Sequence, residues 1–173
     1  VPFVIITSTD ILAVTDDIRI NDVQVGATKI DSAEAKAAAI NAISAESGVT
    51  ATASTTVFLE LDFDISATDA SFEVNGTAIA VSGLDSVSDV ASAINTADVG
   101  VVASASNEGL LKLFDAGGQN ITIDMASLTT YVQKFTDGDN IETTVGAALV
   151  GRGQIVLTSI DGGVIKLTDN TVA

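Results

Sequence analysis

Residues 18–25 read IRINDVQV, and 54 positions later residues 72–79 read FEVNGTAI. In each stretch a turn-forming dipeptide, Asn21-Asp22 or Asn75-Gly76, separates two runs in which apolar and polar residues alternate. Asn, Asp and Gly tolerate the positive φ angles of a two-residue hairpin turn, and alternation is typical of half-buried strands. The repeat therefore predicts two β-hairpins, each with one buried face.

The repeat continues from the hairpins into two short helices. Asp31-Ser32 is matched by Asp85-Ser86, and Ile40-Asn41 is matched by Ile94-Asn95. We expect Asp31 and Asp85 to cap the helix starts, because a carboxylate there accepts hydrogen bonds from the unpaired N–H groups of the first turn.

Both helices are predicted to be amphipathic and to end near a glycine. The expected buried stripes are Ala35, Ala38, Ala39, Ile40 and Ile43 in the first helix, and Val87, Val90, Ala91 and Ile94 in the second. Gly48 and Gly100 are expected to end the two helices, since glycine readily adopts the left-handed conformation that follows a helix.

A second echo has an offset of 44 residues: residues 109–113 read GLLKL, and residues 153–157 read GQIVL. A pair of glycines follows each copy, at 117–118 and at 162–163, and supplies the backbone freedom for a turn. Each copy is therefore predicted to be a β-hairpin that closes a module.

These elements predict an α+β fold that is mainly antiparallel β, with two short helices and two tandem hairpin–helix–strand modules. We expect strands that lead into the domain at 1–16, modules at 17–68 and 69–124, and a β-rich closing segment at 125–173. Phe3–Ile6 is expected to pair with Ile165–Leu167, which would bring the ends together as an inserted domain requires. The chain starts with Val1 and shows no leader, so we expect a fragment inserted in a longer chain.

The composition excludes two kinds of partner. Of 173 residues 47% are hydrophobic, which is ample for a core, and the formal net charge is −16. With 23 acidic residues against seven basic ones, the chain would be repelled by nucleic acid and by anionic membranes. No apolar run approaches the roughly 20 residues that a membrane-spanning helix needs, so we expect neither nucleic-acid binding nor membrane insertion.

The residue types argue against catalysis. Cysteine and histidine are absent, which excludes disulfides, thiolate nucleophiles and the usual general base. Asp62 with Asp64, or Asp137 with Asp139, could place two acids together, but solvated acids in a strand and a turn are the stronger interpretation. Residues 137–142 carry oxygen ligands suited to calcium, in a spacing that helix–loop–helix sites do not use. We expect no enzyme, no catalytic residue, no cofactor and no metal.

The asparagines of both copies carry a resemblance to a known family. Each copy has an apolar-Asn dipeptide in its hairpin, an Ile-Asn dipeptide near the end of its helix, and then Gly-Val, at 48–49 and at 100–101. This pattern, over residues 17–124, is similar to the flagellin IN motif, which is found in outer portions of bacterial flagellins and in flagellar cap and hook-associated proteins. The motif residues on this resemblance are Ile20, Asn21, Ile40, Asn41, Val74, Asn75, Gly76, Ile94 and Asn95.

The resemblance implies a structural, solvent-exposed outer domain of a flagellin, extracellular in the bacterial flagellum, that contributes to the filament surface and to motility. The implied partners are other flagellin subunits, joined through terminal helices whose heptad pattern this sequence does not show. An O-linked glycan on the 35 Ser and Thr residues is a further candidate.

Two alternatives to a flagellin domain stay open. One is the outer domain of a filament-cap or hook-associated protein, which uses similar motifs. The other is a surface adhesin or carbohydrate-binding module, against which the aromatic content weighs, since one Tyr, six Phe and no Trp offer little stacking surface.

Overall fold

The computed structural model describes residues 3–6, 12, 16–62, 70–125, 132–137, 142–143 and 148–170. The helices are α1 (Ala33–Ala42), α2 (Ser44–Ser47) and α3 (Val87–Ala97). The strands, in chain order, are β1 (Phe3–Ile6), β2 (Ile18–Ile20), β3 (Val23–Gln24), β4 (Val49–Leu61), β5 (Ser71–Val74), β6 (Thr77–Ala80), β7 (Val102–Ala105), β8 (Leu111–Asp115), β9 (Ile121–Asp124), β10 (Val132–Thr136), β11 (Glu142–Thr143), β12 (Ala148–Gly151), β13 (Gln154–Ser159) and β14 (Leu167–Asp169). The pairings between these strands are all antiparallel. The predicted α+β fold, mainly antiparallel β, is confirmed, and the short α2 adds a third helix to the two expected.

Tertiary contacts divide the chain into two compact units, and the division falls inside the long strand β4. Unit 1 comprises residues 1–54, 116–119 and 153–173, and unit 2 comprises residues 55–115 and 120–152. The module bounds expected from the sequence, 17–68 and 69–124, stay a prediction about the repeat.

Unit 1 contains the first hairpin, the helices α1 and α2, and two sets of paired strands. In the first set, the first half of β4 pairs with β13, and β13 pairs in turn with β1. The second set is a three-stranded sheet with the order β14–β2–β3. The buried apolar side chains of this core are Ile20, Val25, Ala33, Ala37, Ile40, Val49, Ala51, Ile155 and Leu157.

Unit 2 has the same ingredients and a larger core. The second half of β4 pairs with β8 and with β10, while β7 pairs with β8 and β11 with β10. A four-stranded sheet has the order β12–β9–β5–β6, and α3 packs against β6, β7 and β8. The largest fully buried side chains here are Phe72, Leu59, Ile94, Leu111, Leu113, Ile121, Ile123 and Met125.

The two predicted hairpins are confirmed as β2–β3 and β5–β6. Their turn residues have positive φ at both central positions: 50° and 67° at Asn21 and Asp22, and 50° and 77° at Asn75 and Gly76. This backbone matches the right-handed twist of the flanking strands, which explains why the turn chemistry was a reliable signal.

In each of the two longer helices the N-cap lies one residue after the predicted cap. Ser32 Oγ accepts from the Ala35 N–H at 3.1 Å, and Ser86 Oγ accepts from the Asp89 N–H at 3.2 Å. The prediction of Asp31 and Asp85 as caps was therefore wrong. Serine and aspartate cap helices about equally well, so residue preference alone could not choose between adjacent candidates.

The buried stripe was partly right for α1 and right for α3. In α1 the predicted Ile40 is buried, and Ala39 and Ile43 pack against the same core. Ala38, expected in the stripe, is exposed, and the buried residues Ala33, Lys36 and Ala37 were not predicted. An alanine-rich helix offers little contrast between its faces, so its pattern could not fix the rotation. In α3 the predicted residues Val90, Ala91 and Ile94 are buried, and Val87 packs against them.

The helix ends follow the predicted glycines in the first copy alone. Gly48, with φ 68°, ends α2 directly after α1. In the second copy Asp98, with φ 50°, ends α3 before Gly100 is reached. Aspartate is among the few residues other than glycine that adopt the left-handed conformation at tolerable cost.

The glycine pairs do not close hairpins, so that prediction was wrong. β8 and β9, on either side of 117–118, lie in different sheets, and so do β13 and β14 on either side of 162–163. β1 pairs with β13, with Phe3 opposite Thr158, and not with Ile165–Leu167. A glycine turn can reverse a strand within a sheet or carry the chain to another sheet, and local sequence does not distinguish the two.

Gly151 provides a test of packing in unit 2. A Cβ at this position would collide with Cγ2 of Val57, which is fully buried. We expect Gly151→Ala to lower the free energy of unfolding by about 1–3 kcal/mol, measured by urea denaturation. Gly26→Ala is the matched control, because a Cβ there meets open space, and its effect should stay within about 0.5 kcal/mol.

The double variant Gly151→Ala/Val57→Ala identifies the cause. Removing the Val57 methyl groups vacates the space that the new Cβ needs, so the double variant should be more stable than the sum of the single changes predicts. Strictly additive losses would contradict the collision as the source of the cost.

Candidate functional site: two asparagine-anchored motifs

Four asparagines, Asn21, Asn41, Asn75 and Asn95, hold the hairpins and helices of the two copies in place. We call them the anchor asparagines, Asn21 and Asn75 being the hairpin pair and Asn41 and Asn95 the helix pair. The first motif consists of β2–β3, α1, α2 and the start of β4, and the second motif consists of β5–β6, α3 and β7. The hydrogen bonds that these side chains make to backbone groups correspond one to one between the two motifs.

The hairpin asparagines join each turn to the segment that follows the helix. Asn21 Nδ2 donates to the Ser47 carbonyl oxygen at 2.7 Å, and Asn75 Nδ2 donates to the Val99 carbonyl oxygen at 2.9 Å. These acceptors lie at matching places, two residues before the first residue of β4 and three before that of β7. Each bond therefore fixes the distance between a hairpin turn and the end of its helix.

The same two side chains also extend the ladder to a third strand. Asn21 Oδ1 accepts from the Lys166 N–H at 2.9 Å, and the Asn21 N–H donates to the Lys166 carbonyl oxygen at 2.9 Å. In the second motif Thr122 takes the place of Lys166, with distances of 2.9 Å and 2.8 Å. The requirement is a residue that tolerates positive φ and carries both a donor and an acceptor, and asparagine meets all three conditions.

The helix asparagines tie each helix to the strand that follows it. Asn41 Nδ2 donates to the Ala51 carbonyl oxygen at 2.9 Å, and Asn41 Oδ1 accepts from the Ala51 N–H at 2.7 Å. Asn95 makes the same two bonds to Ala103, both at 2.8 Å. Each asparagine carboxamide thus bonds both backbone groups of one residue, the N–H and the C=O, as the backbone of a neighbouring strand would.

The residue before each anchor asparagine is buried. Ile20, Ile40, Val74 and Ile94 are all at most 4% exposed and belong to the two cores. The dipeptide therefore combines an apolar anchor in the core with a carboxamide at its rim. Gly76 occupies a positive-φ position in open space, where its backbone freedom is what the turn requires.

Sequence reasoning identified the asparagines but missed their partners. Ser47, Val99 and Lys166 bond the asparagines through backbone groups, so their side chains carry no signal. Thr122 bonds Asn75 through its backbone and also donates from its hydroxyl at 3.4 Å, but many side chains could occupy that strand position. The spacing of two partners does carry a signal. Lys166 and Thr122 are 44 residues apart, which is also the offset between the similar stretches 109–113 and 153–157.

Two charged side chains near the first motif, Asp22 and Asp161, stabilise turns. Asp22 accepts from Lys166 Nζ at 2.8 Å, and this hydrogen bond, with the lysine charge, lowers the pKa of Asp22. The Gly163 N–H and the Ser159 hydroxyl donate to Asp161 and lower its pKa. Both contributions are present above the ordinary aspartate range and fade as the pH falls through the lowered pKa values, and both are small because the groups are exposed.

Within the described ranges, no three acidic, histidine or cysteine side chains are arranged to hold a metal ion. Of the acids weighed for catalysis or calcium, Asp62 follows the last residue of β4, while Asp64, Asp139 and most of 137–142 lie outside the described residues. The buried Lys36 forms an ion pair with Asp31, with 2.8 Å between Nζ and Oδ1.

The bonds of the anchor asparagines therefore serve to hold the hairpins, helices and strands of each motif in fixed positions.

Replacing a hairpin asparagine tests the anchoring. Asn75→Gly keeps the positive φ accessible but removes the side-chain bonds to Val99 and Thr122, so we expect a loss of about 1–2 kcal/mol in the free energy of unfolding. Asn75→Asp keeps the acceptor for the Thr122 N–H but sets a charge against the Val99 carbonyl oxygen, and it should cost at least as much.

The control is Asn107→Gly, the same substitution in the exposed turn between β7 and β8, which should cost about 0.5 kcal/mol or less. Equal losses at positions 75 and 107 in urea denaturation would show that the Asn75 carboxamide does not anchor the motif.

Comparison with protein families gives a match that falls on the second motif. Residues 62–117 match the family model of the flagellin hook IN motif. The matched range includes β5–β6, α3, β7 and β8, and with them Asn75 and Asn95. The curated proteins contain no match to the chain. The chain therefore carries the flagellin IN motif, a motif of flagellin- and hook-related structural proteins, at residues 62–117.

Proposed function

We propose that this chain is the solvent-exposed outer domain of a bacterial flagellin, a structural part of the filament surface with no catalysis of its own. The observation that carries the proposal is the IN motif at 62–117, whose asparagines make hydrogen bonds that recur in the first motif.

The helices fit a domain that decorates a filament. α1 has 10 residues, α3 has 11 and α2 has four, and the two longer helices contribute buried residues to the cores described above. A two-stranded coiled coil needs apolar positions repeated over several heptads, which helices of this length do not offer. In this proposal the domain meets other flagellin subunits because helices outside residues 1–173 assemble the filament.

The surface suits an extracellular polymer. With 23 acidic residues against seven basic ones, copies displayed side by side would repel, which limits lateral sticking between filaments. None of the described helices is long and apolar enough to cross a membrane. The 35 Ser and Thr residues offer hydroxyls for O-linked glycans, and the intact mass of native protein would reveal them.

A second candidate is the outer domain of a filament-cap or hook-associated protein. The family description names the hook as well as flagellin, and that wording favours this candidate. An adhesin or carbohydrate-binding role has less support, because Phe72 and Phe135 are buried and so present no stacking surface.

Immunogold electron microscopy on the native bacterium distinguishes these candidates. An antibody raised against residues 16–170 should label filaments along their whole length if the domain belongs to flagellin. Label at the filament tip alone would identify a cap protein, and label at the junction between hook and filament would identify a hook-associated protein.

The matched control is the same cells after mechanical shearing of their flagella, which should lose the label and release it with the filaments. Label that stays on the sheared cell body would contradict a flagellar location.

A further inference from the structure

The two sequence echoes, at offsets of 54 and 44 residues, describe one structural repeat. The hairpin and helix of the first copy lie 54 residues before their equivalents, whereas its last two strands lie 44 residues after theirs. Asn21 corresponds to Asn75, and its partner Lys166 corresponds to Thr122, with matched hydrogen bonds. Gly162 corresponds to Gly118, and their φ angles are 79° and 85°.

The strand registers agree throughout this correspondence. Each pairing among β1, β2, β4, β13 and β14 has a counterpart among β4, β5, β7, β8 and β9. The equivalent pairs are Ala51–Leu157 and Ala103–Leu113, Ala53–Ile155 and Ala105–Leu111, Ile20–Leu167 and Val74–Ile123, and Val4–Leu157 and Val57–Leu113. A shift of one residue in any pairing would move the buried side chains of a strand to the other face of its sheet. Because the registers agree, the two copies bury equivalent positions and share one architecture.

In the second copy a tight turn joins the two central strands. The Ser106 N–H donates to the Leu110 carbonyl oxygen at 2.8 Å, and the Gly109 N–H donates to the Ser106 carbonyl oxygen at 3.1 Å. In the first copy the equivalent strands are the first half of β4 and β13. Residues 55–152 stand between them in place of the turn.

We propose that the chain is nested: a complete module is inserted into the closing turn of a second, equivalent module. The interrupted module consists of residues 3–54 and 153–170, and the inserted module of residues 55–115 and 120–125, followed by β10–β12. Residues 116–119, which connect β8 to β9, belong to unit 1, where the Gly118 carbonyl oxygen accepts from the Glu34 N–H at 3.0 Å. Ser54 and Gln154 are paired across neighbouring strands, so the inserted segment leaves and returns at one place. This arrangement replaces the tandem order expected from the sequence, and it does not depend on the proposed flagellar function.

The nesting explains two observations that a tandem arrangement leaves open. The first copy loses its resemblance after Ala53 because its next strand, with Gly153 before it, has been displaced by 98 residues. The glycine pairs fail to close hairpins because each lies where the chain crosses from a strand in one sheet to a strand in another, from β8 to β9 and from β13 to β14.

The nested arrangement predicts which segments of the chain unfold together. The two parts of the interrupted module share the core that includes Ile40, Val49 and Leu157, so they must open together although 98 residues separate them. The inserted module, with its own core around Ile94 and Phe72, should open separately. Segments that open together show the same free energy of amide exchange.

Native-state hydrogen exchange on the full chain, with peptide-level mass spectrometry, tests this. Asn21→Gly should speed exchange in α1 and in β13–β14 by the same factor, on the order of tenfold, and leave α3 and β8–β9 unchanged. Asn75→Gly should give the mirror result. If Asn21→Gly changed α1 and left β13 unchanged, or if either variant accelerated all segments equally, the nested arrangement would be refuted.

A gentler pair of variants keeps the test valid if the glycine variants unfold. Ile40→Val and Ile94→Val each remove one methyl group from a buried side chain at equivalent positions. Ile40→Val should accelerate exchange in α1 and β13 together by about fivefold. Ile94→Val should do so in α3 and β8. A response confined to the mutated helix would overturn the proposal.

Discussion

The structure depends on one kind of interaction: an asparagine carboxamide that hydrogen-bonds to both the backbone N–H and the backbone C=O of a single residue. Helix α1 and the start of β4 meet because Asn41 takes the place of a strand neighbour for Ala51, and Asn95 does the same for Ala103. Neutral hydrogen bonds of this kind contribute about 1 kcal/mol each. Their importance lies in geometry, because they fix where short elements with little surface of their own must pack.

The cores follow from that geometry. The apolar residue before each anchor asparagine is buried, so the orientation of the carboxamide and the depth of the side chain are set together. Helices of 10 and 11 residues are marginal in isolation and gain most of their stability from packing. An anchored helix therefore presents its buried face to one sheet at one height, which favours a unique core over a set of similar ones.

Local chemistry in the sequence predicted the elements well and their partners poorly. The hairpins were predictable because positive φ at Asn21 and Asn75 demands residues of a particular kind. The buried face of α3 was predictable because its apolar and polar residues are clearly separated, and that of α1 was predictable only in part, because alanine recurs on every side. The caps at Ser32 and Ser86 were missed by one residue, since an aspartate stands next to each serine.

The same contrast holds for the candidate site: its residues were predictable and their partners were not. The asparagines stood out as repeated residues, but their acceptors are backbone groups, which any residue supplies. Which strand pairs with which depends on contacts far apart in sequence, so the crossovers at the glycine pairs could not be inferred from the turns themselves.

The turn between Ser106 and Leu110 has a consequence for how such chains can grow. It lies between two strands, away from the anchor asparagines, the hairpin and the helix of its motif. In the nested arrangement, length enters this architecture at that one place and brings its own hairpin, helix and asparagines with it. A lineage could therefore enlarge or reduce such a chain by whole modules, while the sequence rules that fold each module stay unchanged.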